Sequence, residues 1–319
     1  MFIKTLKKKL SKTVKKIMFF LHYSRHLSFK TNTNKKRIII CFDGLFPHGG
    51  LVDRLKGMIS FYEISKLLNY EFYIHFDNPF NLNIFLEPNT VNWLIKKKDI
   101  KWHPTKTKLI YVVNNFNVKP LELIKKSKAD TFIVYANIDY LNSFHPLADA
   151  KALENKWRIN FNELFKKTSQ LNDKLNNIEQ EKYIAFHTRF TSLMGDFVDS
   201  STKTISEEQK QKLLTQLQTE VKSIVKTTVY KCYGFSDSVR FLDYIEEKEA
   251  VHLVEGNPFH MDNYKGNSTI EGHLKTMIDF FMIANSEIVY FLKIEPMYHS
   301  SFSKYAAIVG DKPFKMINK

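Results

Sequence analysis

Apolar residues in this chain gather into short runs, and most runs end on glycine or polar residues. Runs of this kind read as buried parallel strands whose C-terminal tips face a crevice. Residues 37–42, 71–76, 108–113 and 131–135 form a first set of such strands. After the first strand comes a loop with Pro47 and the pair Gly49-Gly50. Leu51, Leu55, Met58, Ile59, Tyr62, Ile64 and Leu67 then recur at helical spacing. Strand, glycine turn, helix and strand make the βαβ pattern. A second set alternates more regularly. It predicts strands at 183–186, 228–234, 251–254 and 287–292, and helices at 206–226, 238–248, 271–284 and 301–309. Residues 158–178 read as one polar helix bridging the sets. The prediction is α/β: two Rossmann-like halves, 37–175 and 176–319, facing each other across a ligand cleft. An arm and linker, 1–36, precede them. The length of 319 residues suits about two domains of ~150 residues each.

The arm has its own pattern. Phe2, Ile3, Leu6, Leu10, Val14, Ile17, Met18 and Leu21 recur at helical spacing, with seven lysines between Lys4 and Lys16 filling the intervals. This is an amphipathic basic helix. Three readings stand: residues 1–22 on an anionic membrane surface, a helix packed on the body, or a nucleic-acid arm. No apolar run approaches the ~20 residues needed to cross a bilayer. The expected location is the cytoplasm, peripheral on the inner face of the cytoplasmic membrane. The formal charge of +15 sits mainly here, because the first acid in the chain is Asp43. The remainder is close to neutral, which argues against a body that grips nucleic acid. The two cysteines, Cys41 and Cys232, fall inside predicted strands and read as small core residues.

Four clusters carry candidate chemistry. Gly49, Gly50, Asp53 and Arg54 lie where a strand turns into a helix, suited either to an anion or to an ordinary tight turn. The sequence here is neither a dinucleotide fingerprint nor a P-loop. His187 and Arg189 end the strand at 183–186, one residue apart, with Asp196 in the following loop. Alternation puts the His and the Arg on one side of the strand, and a desolvated guanidinium calls for an anion. Ser236 and Asp237 follow the next strand, as helix caps, as a hold on a ribose, or as orienters of an arginine. Asp279 sits among apolar residues and needs a partner, for which an incoming base or ribose would serve. Ser300, Ser301 and Ser303 open the last helix, as caps or as an anion site. No Asp-any-Asp pair of the kind that holds a metal on a diphosphate is present.

Taken in order, GGLVDRLKG, the strand ending in HTR, the SDS turn and IDFFMIANSEIVYF…SSFSKYA resemble the GDP-fucose-dependent fucosyltransferase superfamily. The nearest resemblance is to NodZ-like and bacterial surface-polysaccharide enzymes, over about residues 37–314. That resemblance implies a GT-B fold and an inverting glycosyl transfer that needs no metal and no cofactor. GDP-fucose would be the co-substrate and a glycan or lipid-linked glycan the acceptor. His187 would contact the nucleoside, Arg189 the diphosphate, Asp279 the nucleoside, and Ser300 and Ser301 phosphate oxygens. Gly50 and Arg54 would line the acceptor cleft, and Asp196 is the candidate base. The sequence departs from the family at Phe190, where many relatives carry a second basic residue. The alternatives are a transferase using a GDP-heptose or GDP-mannose donor, and a non-catalytic membrane or nucleic-acid binder.

Overall fold

The computed structural model describes residues 2–29, 35–197, 203–257, 259–262 and 269–319. In chain order the elements begin α1 (Phe2–Ser24), β1 (Arg37–Phe42), α2 (Leu51–Leu68), β2 (Glu71–Phe76), β3 (Leu86–Pro88), β4 (Thr107–Tyr111), α3 (Pro120–Lys125), β5 (Thr131–Tyr135) and α4 (Leu141–Phe144). They continue α5 (Ala150–Leu164), β6 (Phe165–Lys167), α6 (Ser169–Ile178), β7 (Tyr183–Thr188), α7 (Glu207–Lys226), β8 (Lys231–Ser236) and α8 (Val239–Lys248). The last are β9 (His252–Leu253), α9 (Ile270–Asn285), β10 (Val289–Lys293), α10 (Phe302–Gly310) and β11 (Phe314–Asn318). The class is α/β with parallel sheets, as the pattern predicts.

Two compact units result. One comprises Met1–His48, Asp53–Asn78 and Val91–Pro146, the other Gly49–Val52, Pro79–Thr90 and Leu147–Lys319. The break therefore falls before α5, not at residue 175. The expected bridging helix is in fact two helices split by β6, and both belong to the second unit. The reason is aromatic packing: Trp157 on α5 lies 4.9 Å from Tyr305 of α10, centroid to centroid, and Phe161 lies 6.4 Å from both Phe280 and Phe281 of α9.

The first unit is built on a four-stranded sheet, β2-β1-β5-β4, parallel throughout. β1 lies inside the sheet and is apolar on both faces. Ile39 and Cys41 meet Ile133, Tyr135, Phe19 and Tyr23 in one buried cluster. α2 approaches the chain leaving β5 so closely that a Cβ at Gly57 would lie 2.4 Å from the Ala136 carbonyl oxygen. The last glycine of the GGLVDRLKG segment is thus a packing residue.

The C-terminal half of α1 docks on this unit. Phe19 sets its ring 5.1 Å from both Phe46 and Tyr135. Tyr135 donates to Asp43 Oδ2 at 2.7 Å, which leaves the Tyr23 hydroxyl to donate to Tyr135, also at 2.7 Å. His22 Nε2 reaches the same Asp43 oxygen at 3.2 Å. Burial alone would raise the Asp43 carboxyl, but the hydrogen bonds from His22 and Tyr135 outweigh it and hold it at about 2. Among the described residues no helix is long and apolar enough to cross a membrane.

The second unit carries a five-stranded sheet, β11-β10-β7-β8-β9, again parallel. Phe186, Phe190, Leu213, Leu217, Phe241 and Leu292 are among the buried residues of its core. β7, β8 and β9 run outward in one direction, and the chain then returns to place β10 and β11 on the other side of β7. The order reverses between β7 and β10, and at such a point the loops beyond the strand tips part to leave a crevice.

Candidate functional site

The tip of β7 lies at that reversal point. Arg189 follows the strand directly, and its side chain is 18% exposed, with Nε 3.3 Å from Asp237 Oδ2. The guanidinium carbon lies 4.7 Å from the centre of the Phe197 ring. Asp237, at the tip of β8, also accepts from the amides of Phe190 at 2.8 Å and Thr191 at 2.7 Å. Its carboxyl is raised by burial, against the opposing pull of Arg189 and the two amides. Asp237 thus pairs with Arg189 and holds the two amides that follow it. Thr191 sits at φ 58°, in the left-handed region that β-branched residues avoid. Strain of this kind persists where the surroundings fix the chain, and it concentrates at binding and catalytic sites.

The neighbouring residues are bound into the same tip. Thr188, which the sequence did not single out, donates its hydroxyl to Ser236 Oγ at 2.9 Å. Ser236 Oγ accepts the Ser238 amide at 3.1 Å. Ser236 is therefore a buried part of the scaffold. Asp196 accepts from Ser238 Oγ at 2.8 Å and from the Arg240 amide at 2.9 Å. Its carboxylate serves the N-terminus of α8, beside the Ser238 cap, where negative charge is favoured.

The α10 side is joined to the β7 tip by the Tyr298 amide, which donates to the Arg189 carbonyl at 3.2 Å. His187 is buried, with Nδ1 3.1 Å from Ser303 Oγ and its ring 5.6 Å from Phe291 and 5.5 Å from Phe302. Burial, then the nearby Arg189 charge, lowers its pKa to about 3, so it is neutral near pH 7. His187 and Arg189 do not act as a pair on one side of the strand: one faces α10 and the other faces Asp237. Ser303 is buried against His187. Ser300 Oγ accepts the Phe302 amide at 3.2 Å. Ser301 occupies the N-cap of α10 without a side-chain cap bond. The segment leading into α10 is therefore tied to the Arg189 backbone, and His187 holds the first turn of the helix through Ser303.

Three expected contacts fall elsewhere. Asp279 is paired within α9, with Lys275 Nζ 2.5 Å from its Oδ1 and both side chains buried. Burial raises its carboxyl while Lys275 pulls it down. The partner that Asp279 needs is thus internal, one helical turn back. Arg54 is 2% exposed and does not project into a crevice. Its guanidinium carbon lies 5.6 Å from the Phe42 ring centre and 5.2 Å from that of Phe76, and Nη1 donates to the Asn78 carbonyl at 3.0 Å. Asp53, one residue earlier, takes Lys56 at 3.3 Å on the surface of α2. The Gly49 amide donates to Asp262, and His260 Nε2 lies 4.0 Å from where a Cβ on Gly50 would stand. Gly49 has φ 87°, which explains the glycine. Nothing in the sequence signals Asp262 as its partner across so many residues.

No protein-family model matches the chain, and no curated protein shows significant similarity to it.

Proposed function

We propose that the protein is an inverting, metal-independent glycosyltransferase that moves a sugar from a GDP-sugar to a glycan acceptor in surface-polysaccharide or glycolipid synthesis. Fucose is the expected sugar. In this reading the two units are the halves of a GT-B enzyme, the second holding the donor. The reaction would take place at the inner face of the cytoplasmic membrane. The observation that carries the reading is Arg189: a cation at the sheet's reversal point, held by a buried carboxylate at a strained strand tip.

The chemistry follows from that placement. The acceptor oxygen bonds to the anomeric carbon as the bond to the diphosphate oxygen breaks; the acceptor hydroxyl gives up its proton to water or to the departing diphosphate, and the leaving group departs as GDP. Negative charge grows on the diphosphate. Arg189 and the amides at the start of α10 would stabilise it without reorganising, because Asp237 and the helix hold them in place. His187 is neutral and enclosed, so it holds Ser303 of α10 and takes no proton from the acceptor. The Asp196 carboxylate already serves Ser238 and the Arg240 amide, which favours a mechanism driven by leaving-group stabilisation over one that relies on this base. The GDP donor class and fucose rest on the likeness of the HTR, SDS and SSFSKYA segments to fucosyltransferases.

Thermal unfolding of the full chain with GDP, UDP, CMP and dTDP tests this. A ligand that binds only the folded state raises its stability, by about 2.7 kcal/mol at a hundred times its Kd. GDP should raise the transition above the other three. Equal effects from all four, or none from GDP, would remove the proposal. GDP-fucose, GDP-mannose and a GDP-heptose then separate the donor sugars.

A further inference from the structure

The exposed apolar face of α1 has no counterpart in the reaction. Its described part divides into two sides. Phe19 and Tyr23, one turn apart, are buried in the first unit. Ile17 is 52% exposed, Phe20 55% and Leu21 61%, and Val14 and Met18 are exposed beside them. At about 100° per residue, Ile17 lies about 160° around the helix from Phe19. From Val14 to Leu21 the apolar stripe seen in the sequence is therefore not the face that packs on the body. A small aromatic contact anchors the helix there, and these stripe residues point outward. Tyr23, Tyr135, Asp43 and His22 hold that rotation through their hydrogen bonds.

The surroundings of the stripe extend it. Trp102, half-buried, sets its ring 5.7 Å from Phe20 at right angles. The chain after α1 pairs with Trp102 through its backbone, and Phe29 is exposed nearby in sequence. Exposed apolar groups of this extent mark an interaction surface.

We infer that the outward stripe of α1 and the adjoining Trp102 form a docking surface for an anionic lipid bilayer. Charge selects this occupant. Twelve Lys and Arg and no acid precede Asp43, and the lysines alternate with the stripe. A second copy of the chain would bring two such basic segments together, which like-charge repulsion opposes. An anionic headgroup layer neutralises them while the stripe enters the acyl boundary, and aromatic rings settle at that interface. The inference stands independently of the proposed reaction and is tested without a donor or acceptor.

The test is sedimentation of the full chain with vesicles of phosphatidylcholine alone or with about one third phosphatidylglycerol. Wild type should partition to the anionic vesicles at least about tenfold more strongly than to the neutral ones, and less as salt rises. Trp93 and Trp157 are already buried, so a blue shift of tryptophan emission on binding would report Trp102. Ile17→Glu with Leu21→Glu changes only exposed positions and should leave the urea midpoint unchanged. It should cut the anionic partition by about tenfold or more and abolish the emission shift. Wild type that stays in solution, or a double variant that binds as well as wild type, overturns the inference. So does a vesicle-free dimer that the double variant dissolves, which would make a second copy the occupant.

Discussion

Two substitutions that touch the same ion pair should fail in different ways. Asp237→Ala removes the acceptor of two amides and the partner of Arg189. Each amide left without an acceptor costs about 1–3 kcal/mol. Phe190 is buried and Thr191 is half-buried at positive φ, so the strand tip cannot simply turn its amides to water. A loss of about 3–5 kcal/mol follows. Arg189→Ala leaves both amide bonds to Asp237 intact and removes a guanidinium that water already reaches, so about 1–2 kcal/mol is expected. Urea unfolding at pH 7 gives both values. The nucleotide readout should run the other way in proportion: Arg189→Ala keeps most of its stability but loses most of the GDP-induced thermal shift. Should Arg189→Ala unfold the chain as readily as Asp237→Ala while GDP still stabilises what remains, the arginine exists to neutralise Asp237. The donor site would then lie elsewhere.

Other expectations follow from the same geometry. His187 has a folded pKa of about 3 against an ordinary 6.5. The unfolded chain therefore binds the extra proton between those values. Stability is full above about pH 6.5 and falls toward about pH 3, by up to about 1.4 kcal/mol per pH unit. His187→Asn should flatten that slope in urea titrations between pH 4 and about 6.5, and an unchanged slope would assign the acid loss to another group. Asp279→Ala strands the buried Lys275 charge and should cost about 3–5 kcal/mol. Adding Lys275→Met should restore most of it, with the GDP shift intact in the double variant; loss of that shift would return Asp279 to the nucleoside. Gly57→Ala forces a methyl onto the Ala136 carbonyl, and denaturant unfolding should show a loss of about 1–3 kcal/mol, more if α2 cannot move. A neutral result there would mean that α2 shifts freely.

Much of the fold can be read from the sequence because its central strands are buried on both faces. Arg37–Phe42 and Tyr183–Thr188 are nearly continuous apolar runs, and no helix fits them. β11 is harder to see: it is an edge strand whose Lys315, Met316 and Asn318 face water. β6 hides inside what looks like one polar helix, because its pairing with Leu86–Pro88 is set by a segment far away in sequence. The site divides along the same line. Arg189 beside the SDS turn is legible, since parallel neighbours bring strand tips together. Arg54 and Asp279 mislead because an isolated charge in an apolar stretch looks like a ligand contact until its partner is known. For Asp279 the signal was present, a lysine four residues earlier on one helix face. For Arg54 it was not, because its partners are aromatic faces and a backbone carbonyl.

The way the chain is threaded limits how the protein can be taken apart. The polypeptide passes from one compact unit to the other at 48/49, 52/53, 78/79, 90/91 and 146/147. A fragment starting at Leu147 would leave β6 without β3, and the Glu163 and Leu164 carbonyls without the Thr90 and Asn89 amides that reach them at 3.0 and 3.1 Å. Chimaeras that graft a new C-terminal half at that junction must carry residues 79–90 with it. Exchange of halves at a single crossover would yield misfolded hybrids, so the two units can be altered independently only by substitution within one intact chain.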